Sequence, residues 1–122
     1  FHQTGADLQT SMILQYDNAQ AILHSSFVST SNIKATINGT KGRINLNTLW
    51  HQTQSYTLTI ADHEEEIVLP TKGKGFTYEI EECHQCIREN RIESSLWSHQ
   101  NSLDLIKIVD RVRNQIGLEY PS

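Results

Sequence analysis

The chain has 122 residues, ten Lys and Arg against fourteen Asp and Glu, and a net charge of −4, which is the size of one domain with a mildly acidic balance. Its basic residues are scattered rather than gathered into a stripe that could neutralise phosphates, so nucleic acid is excluded as an expected partner. The longest aliphatic run, Ile67-Val68-Leu69, is far short of the roughly 20 apolar residues that span a bilayer, and Phe1-His2-Gln3-Thr4-Gly5 has no signal-peptide apolar segment. A soluble, cytoplasmic protein with no membrane contact is the expectation, and the absence of an initiator Met suits an excised or processed chain.

In residues 7–69 the dominant period is two, the signature of half-buried strands. Leu14 and Tyr16 alternate with Ile13 and Gln15, Asp17-Asn18 supplies a turn, and 19–27 forms the return strand. Ile33, Ala35 and Ile37 alternate with Lys34, Thr36 and Asn38. The glycines of Asn38-Gly39-Thr40-Lys41-Gly42 can take positive φ and reverse the chain into Arg43, Ile44, Asn45 and Leu46. Tyr56, Leu58 and Ile60 alternate with Thr57 and Thr59, and Asp62-His63 turns into a strand over 65–69. Links this short predict an antiparallel meander, because a parallel crossover needs about a dozen residues or more.

The period then changes. After an entry loop at 70–75, Phe76, Ile80, Cys83 and Ile87 fall on one face of a helix. A second helix is predicted from an N-cap at Ser98, with Leu105, Ile108, Val109, Val112 and Ile116 as its buried stripe. Gly117 is placed to end it in the left-handed conformation, Leu118 to fold back on the last turn, and Pro121 to prevent resumption. Strands followed by helices give an α+β class: an open, mostly antiparallel sheet with two helices packed on one face, read as a single domain over 1–122. The opposite sheet face collects Ser11, Gln15, Gln20, His24, Ser26, Thr36, Asn45, Thr57 and Thr59. Only Lys34, Arg43 and the acidic run Glu64 to Glu66 add charge to it, and such a charge-poor surface suits either pairing with another face or plain solvation.

Little in the sequence carries chemistry by itself. Cys83-His84-Gln85-Cys86 lacks the second ligand pair of a zinc site and sits too far into a helix for a redox pair, so a packing role is expected. The six histidines share no spacing with a nucleophile, and consecutive Glu64, Glu65 and Glu66 on a strand point to alternate faces. Asn38-Gly39-Thr40 fits a glycosylation sequon but is accounted for by its turn. Gly73-Lys74-Gly75-Phe76 is only a piece of a phosphate-loop pattern, and Trp50 and Trp97 are expected to cap the core, with ligand contact by either as the alternative. No catalytic, cofactor-binding or metal-ligating residue is assigned.

Taken in order, Gly5-x-Asp7, Asp17-Asn18-Ala19 and Ile37-Asn38-Gly39-Thr40-Lys41-Gly42-Arg43-Ile44 resemble the C-terminal domain of the Gfo/Idh/MocA family, the glucose-fructose oxidoreductase and inositol dehydrogenase group. So do Gly75-Phe76-x-Tyr78-Glu79-Ile80-Glu81, Glu93-Ser94, Ser102-Leu103 and Ile116-Gly117-Leu118-x-Tyr120-Pro121, with the dihydrodiol dehydrogenase-like branch nearest. The resemblance implies an N-terminal Rossmann domain, absent from this chain, that binds NAD or NADP, and a C-terminal domain that shapes the substrate site and builds a homo-oligomer through its open sheet. It implies hydride transfer to or from a sugar, polyol or related hydroxyl carbon. The family's dinucleotide fingerprint and catalytic Lys segment are missing here, so the piece alone is expected to be inactive. The resemblance also places the loop over 71–76 nearest substrate, with Thr71, Lys74 and Phe76 as its candidate residues. The rival expectations are a stand-alone binding or dimerisation module and, more remotely, a thiol or metal protein using Cys83 and Cys86.

Overall fold

The computed structural model describes residues 1–73 and 75–119, so Lys74 and the expected stop at Pro121 lie outside the described residues. Strands β1 (Gln9–Gln15), β2 (Gln20–Ser26), β3 (Ala35–Asn38), β4 (Arg43–Leu46), β5 (Ser55–Ile60) and β6 (His63–Val68) precede helices α1 (Phe76–Arg88) and α2 (His99–Ile116). The α+β class and the antiparallel pairing are as expected. The strands, however, form two sheets, β1-β2 and β3-β4-β5-β6. Side-chain hydrogen bonds order the connection between them. Ser26 Oγ accepts from the amides of Val28 and Ser29 at 3.1 Å each, and Ser31 Oγ accepts from Ile33 at 3.2 Å. These side-chain bonds satisfy backbone groups that a continuous ladder would otherwise use. The chain divides into two compact units, Phe1–Thr30 with Ser95–Ser122, and Ser31–Ser94.

In the first unit β1 and β2 pair from Gln9↔Ser26 to Gln15↔Gln20 around the Asp17-Asn18 turn, which the Tyr16 amide closes on Ala19 at 2.9 Å. Thr10, Met12 and Leu14 alternate with exposed neighbours. Met12 lines a pocket together with Ile108, Val112 and Ile116, so the α2 stripe lies against this hairpin. Helix α2 is bounded as predicted: Ser98 Oγ accepts the Asn101 amide at 3.2 Å, and Gly117 at φ 69° ends it. The Leu118 amide reaches the Arg113 carbonyl at 3.0 Å, a Schellman closure that only a residue at ease with positive φ completes without strain.

The second unit is the four-stranded meander followed by α1. The register puts Ala35, Ile37, Ile44, Leu46, Tyr56, Leu58, Ile60 and Ile67 on one face, and Thr36, Asn45, Thr57 and Glu66 on the other. Two turns differ from expectation. Neither Gly39 nor Gly42 takes positive φ; Gly42 is needed because a Cβ there would run into the Thr59 carbonyl oxygen. Between β5 and β6 the two-residue loop is Ala61-Asp62, with Ala61 at φ 51°, and His63 already pairs with Ile60. Helix α1 has a stop that the sequence pattern did not disclose. Asn90 sits at φ 54°, its amide bonds the Ile87 carbonyl at 3.2 Å, and the Arg91 amide bonds that of Cys86 at 2.9 Å.

Burial is where the structure departs most from the expected helix-backed sheet. Among the described residues none reaches full burial, and the α1 stripe is open, with Phe76 65%, Ile80 54% and Ile87 73% exposed. The accessible surface is 10506 Å². Two separate globules of half this mass would together expose about 8,000 Å².

Candidate functional site

The loop before α1 is where the substrate-side residues were expected, and hydrogen bonds fold it onto the first helical turn. The Lys72 amide donates to the Tyr78 hydroxyl at 3.1 Å, the Gly75 amide to the Lys72 carbonyl at 3.3 Å, and the Tyr78 amide to the Gly75 carbonyl at 3.2 Å. Lys72 Nζ also stands 3.9 Å from Glu81. Thr71 is half-buried at the start of this loop, while Phe76 opens α1 with its ring exposed. Thr71 and Phe76 are therefore joined by one short, internally bonded segment; Lys74 lies outside the described residues. The described residues of this segment present the exposed ring of Phe76, the hydroxyls of Thr71 and Tyr78, and the Lys72–Glu81 pair beside them.

A second exposed aromatic was expected to cap the core and does not. Trp50 begins a 3₁₀ turn, Trp50–Gln52, and is 49% exposed. Its loop is tied down at several points. The Trp50 amide bonds the Ile33 carbonyl at 3.0 Å, Thr48 Oγ1 the Asn32 carbonyl at 2.7 Å, and Asn47 Nδ2 donates to Ser55 Oγ at 3.0 Å. The His51 ring meets the indole edge-on, with centroids 5.6 Å apart. The other tryptophan, Trp97, is 53% exposed and donates its ring N–H to Ser102 Oγ at 2.8 Å, tying it to the first turn of α2.

The densest cluster of ionisable groups lies at the end of α1, and sequence spacing did not reveal it. Glu82 Oε1 accepts from Ser94 Oγ at 2.7 Å, Arg91 Nη1 at 3.3 Å and Cys86 Sγ at 3.4 Å. Arg91 Nε donates to Glu89 at 2.7 Å, and Gln85 donates to the other oxygen of Glu89 at 3.0 Å. The Ser94 hydroxyl foremost, then Cys86 and Arg91, hold the Glu82 carboxyl below its usual range against the opposing pull of partial burial. Gln85 and then Arg91 do the same for Glu89. Partial burial, reinforced by the Glu82 carboxylate, pushes the Cys86 thiol up. A carboxylate held ionised is a poor general base near neutral pH, and a thiol kept protonated is a poor nucleophile. The cluster reads as a latch fastening residues 89–94 to α1. Its only sequence signal was the four-residue step from Glu82 to Cys86. Both cysteines are free thiols, and no group of three or more metal-ligating side chains occurs among the described residues.

The charge-poor face anticipated from sequence is divided between the two units. On the second unit's sheet, Thr36 Oγ1 bonds Asn45 at 3.0 Å, and the expected charge is there, with Arg43 paired to Glu64 at 3.1 Å. The hairpin of the first unit has no charged residue in either strand. Its outward face is built of Ser11 bonded to His24 at 2.8 Å, Gln20 bonded to Gln15 at 3.0 Å, and between them Ile13 and Ile22, 64% and 74% exposed. An apolar centre with neutral hydrogen-bonding neighbours is the anatomy of a contact surface. No helix among the described residues is long and apolar enough to cross a membrane.

No protein-family model matches the chain. Individual relatives do. Over 120 residues, 98% of the chain, it is 34% identical to the scyllo-inositol 2-dehydrogenase (NADP(+)) of Bacillus subtilis, covering 36% of that protein. It is 32% identical to the trans-1,2-dihydrobenzene-1,2-diol dehydrogenase of Xenopus tropicalis and 29% identical to that of Homo sapiens, in each case over 98% of the chain and 38% of the relative. The chain thus spans little more than a third of the length of the curated relatives it matches. Because the likeness runs through both units and falls on the C-terminal part of those relatives, the chain belongs, along its described strands and helices, to the C-terminal part of the Gfo/Idh/MocA-like oxidoreductases.

Proposed function

We propose that this chain is the C-terminal, substrate-side portion of an NAD(P)-dependent cytoplasmic dehydrogenase, and that it acts with an N-terminal Rossmann domain that carries the cofactor. The observation that supports this best is the pairing of end-to-end sequence likeness with an accessible surface of 10506 Å² and no fully buried residue among those described. Such a surface is what a domain leaves when its neighbour is taken away. The relatives' names describe a six-membered carbon ring bearing hydroxyls, an inositol in one case and a dihydrobenzene diol in the others. A cyclic compound with adjacent hydroxyls is accordingly the substrate class proposed for the whole protein.

In this reading Thr71, Lys74 and Phe76 lie beside the substrate, and Phe76 supplies an apolar wall against the ring carbons. Trp50 is a second aromatic available for the same task, since it is exposed and its loop is held by several hydrogen bonds. The uncharged face of the β1-β2 sheet around Ile13 and Ile22 is best suited to a homo-oligomer contact. The test is to express the gene together with its upstream reading frame and follow nicotinamide absorbance with scyllo-inositol and with a cyclic trans-diol. Turnover by the long protein and none by this chain alone is the expected result. An upstream frame without a dinucleotide-binding fingerprint, or a long protein that binds neither NAD nor NADP, would overturn it in favour of a stand-alone binding module.

A further inference from the structure

We draw no further inference here: the strongest candidate, the exposed apolar stripe of α1 formed by Phe76, Ile80, Cys83 and Ile87, is an unpartnered helix face, and nothing in the structure shows what covers it.

Discussion

The Arg91 amide donates to the Cys86 carbonyl at 2.9 Å, closing α1 with the same six-to-one bond by which Leu118 closes α2 on Arg113 at 3.0 Å. The two helices differ in the residue that makes this possible. Helix α2 has Gly117, whereas α1 has Asn90, whose side chain adds a steric cost at φ 54°. Asn90→Gly is expected to raise stability by about 0.5–1 kcal/mol, read as a higher thermal midpoint. Gly117→Val is expected to lower it by more than about 1 kcal/mol. An unchanged midpoint in both variants would remove the shared closure.

Gly42 and Gly39 provide a paired test of the β3-β4 turn. A methyl group on Gly42 meets the Thr59 carbonyl and lies 3.2 Å from Ile60 Cγ1, whereas on Gly39 the nearest atom is the Gly42 carbonyl oxygen at 3.5 Å. Gly42→Ala should cost roughly 1–3 kcal/mol, the usual range for forcing atoms into a packed space. Gly39→Ala should be tolerated. Chemical denaturation of both variants checks the contrast, and equal losses would contradict it.

Ala61 occupies a left-handed position in a two-residue hairpin loop, where Asn or Gly is the ordinary choice. Ala61→Asn is expected to stabilise by about 0.5–1 kcal/mol, because Asn tolerates that conformation better than Ala. Slower amide exchange along β5 and β6 would accompany the gain.

The Glu82 latch predicts a pH dependence of defined sign. A carboxyl held below its unfolded value contributes stability that is complete above that value, about 4.3 for Glu, and is lost as pH falls through the lower folded value. Acidification below about pH 4.3 should therefore loosen residues 89–94 from α1. Glu82→Gln should lower the thermal midpoint at neutral pH and flatten its fall in acid. Glu81→Gln, on a side chain 58% exposed, should do neither. Equal behaviour of the two variants would dismiss the latch.

In the long protein, Phe76→Ala should lower kcat/KM by about ten- to a hundredfold, as expected for losing an aromatic wall worth roughly 1.5–3 kcal/mol. Leu at the same position should restore part of it, and nicotinamide affinity should stay unchanged. A variant with wild-type kcat/KM would move the substrate wall elsewhere.

The elements were legible because period and punctuation are local. Arg43 to Leu46 is recovered as a strand, and Ser98 and Gly117 bound α2 as expected, since caps and turns act within a few residues. The division into two sheets was not legible, for no break in hydrophobic period marks it, and the connection carries side-chain bonds to Ser26 and Ser31 that spacing does not disclose. The stop of α1 at Asn90 was missed because Asn is an uncommon choice where Gly is usual. The candidate site was legible only as a loop: the spacing of Thr71 and Phe76 says nothing of the bond from Lys72 to Tyr78 that shapes it.

Strand β6 ends the four-stranded sheet and presents Glu64, Glu65 and Glu66 in succession, with Glu65 on the same face as Leu58. An incoming strand from another molecule would have to bring its side chains alongside this run and desolvate a carboxylate set among aliphatic groups. A run of acidic side chains along an edge strand discourages open-ended strand-to-strand pairing there. Handled as an isolated polypeptide, the chain should therefore associate less readily strand to strand along β6 than through its exposed apolar faces.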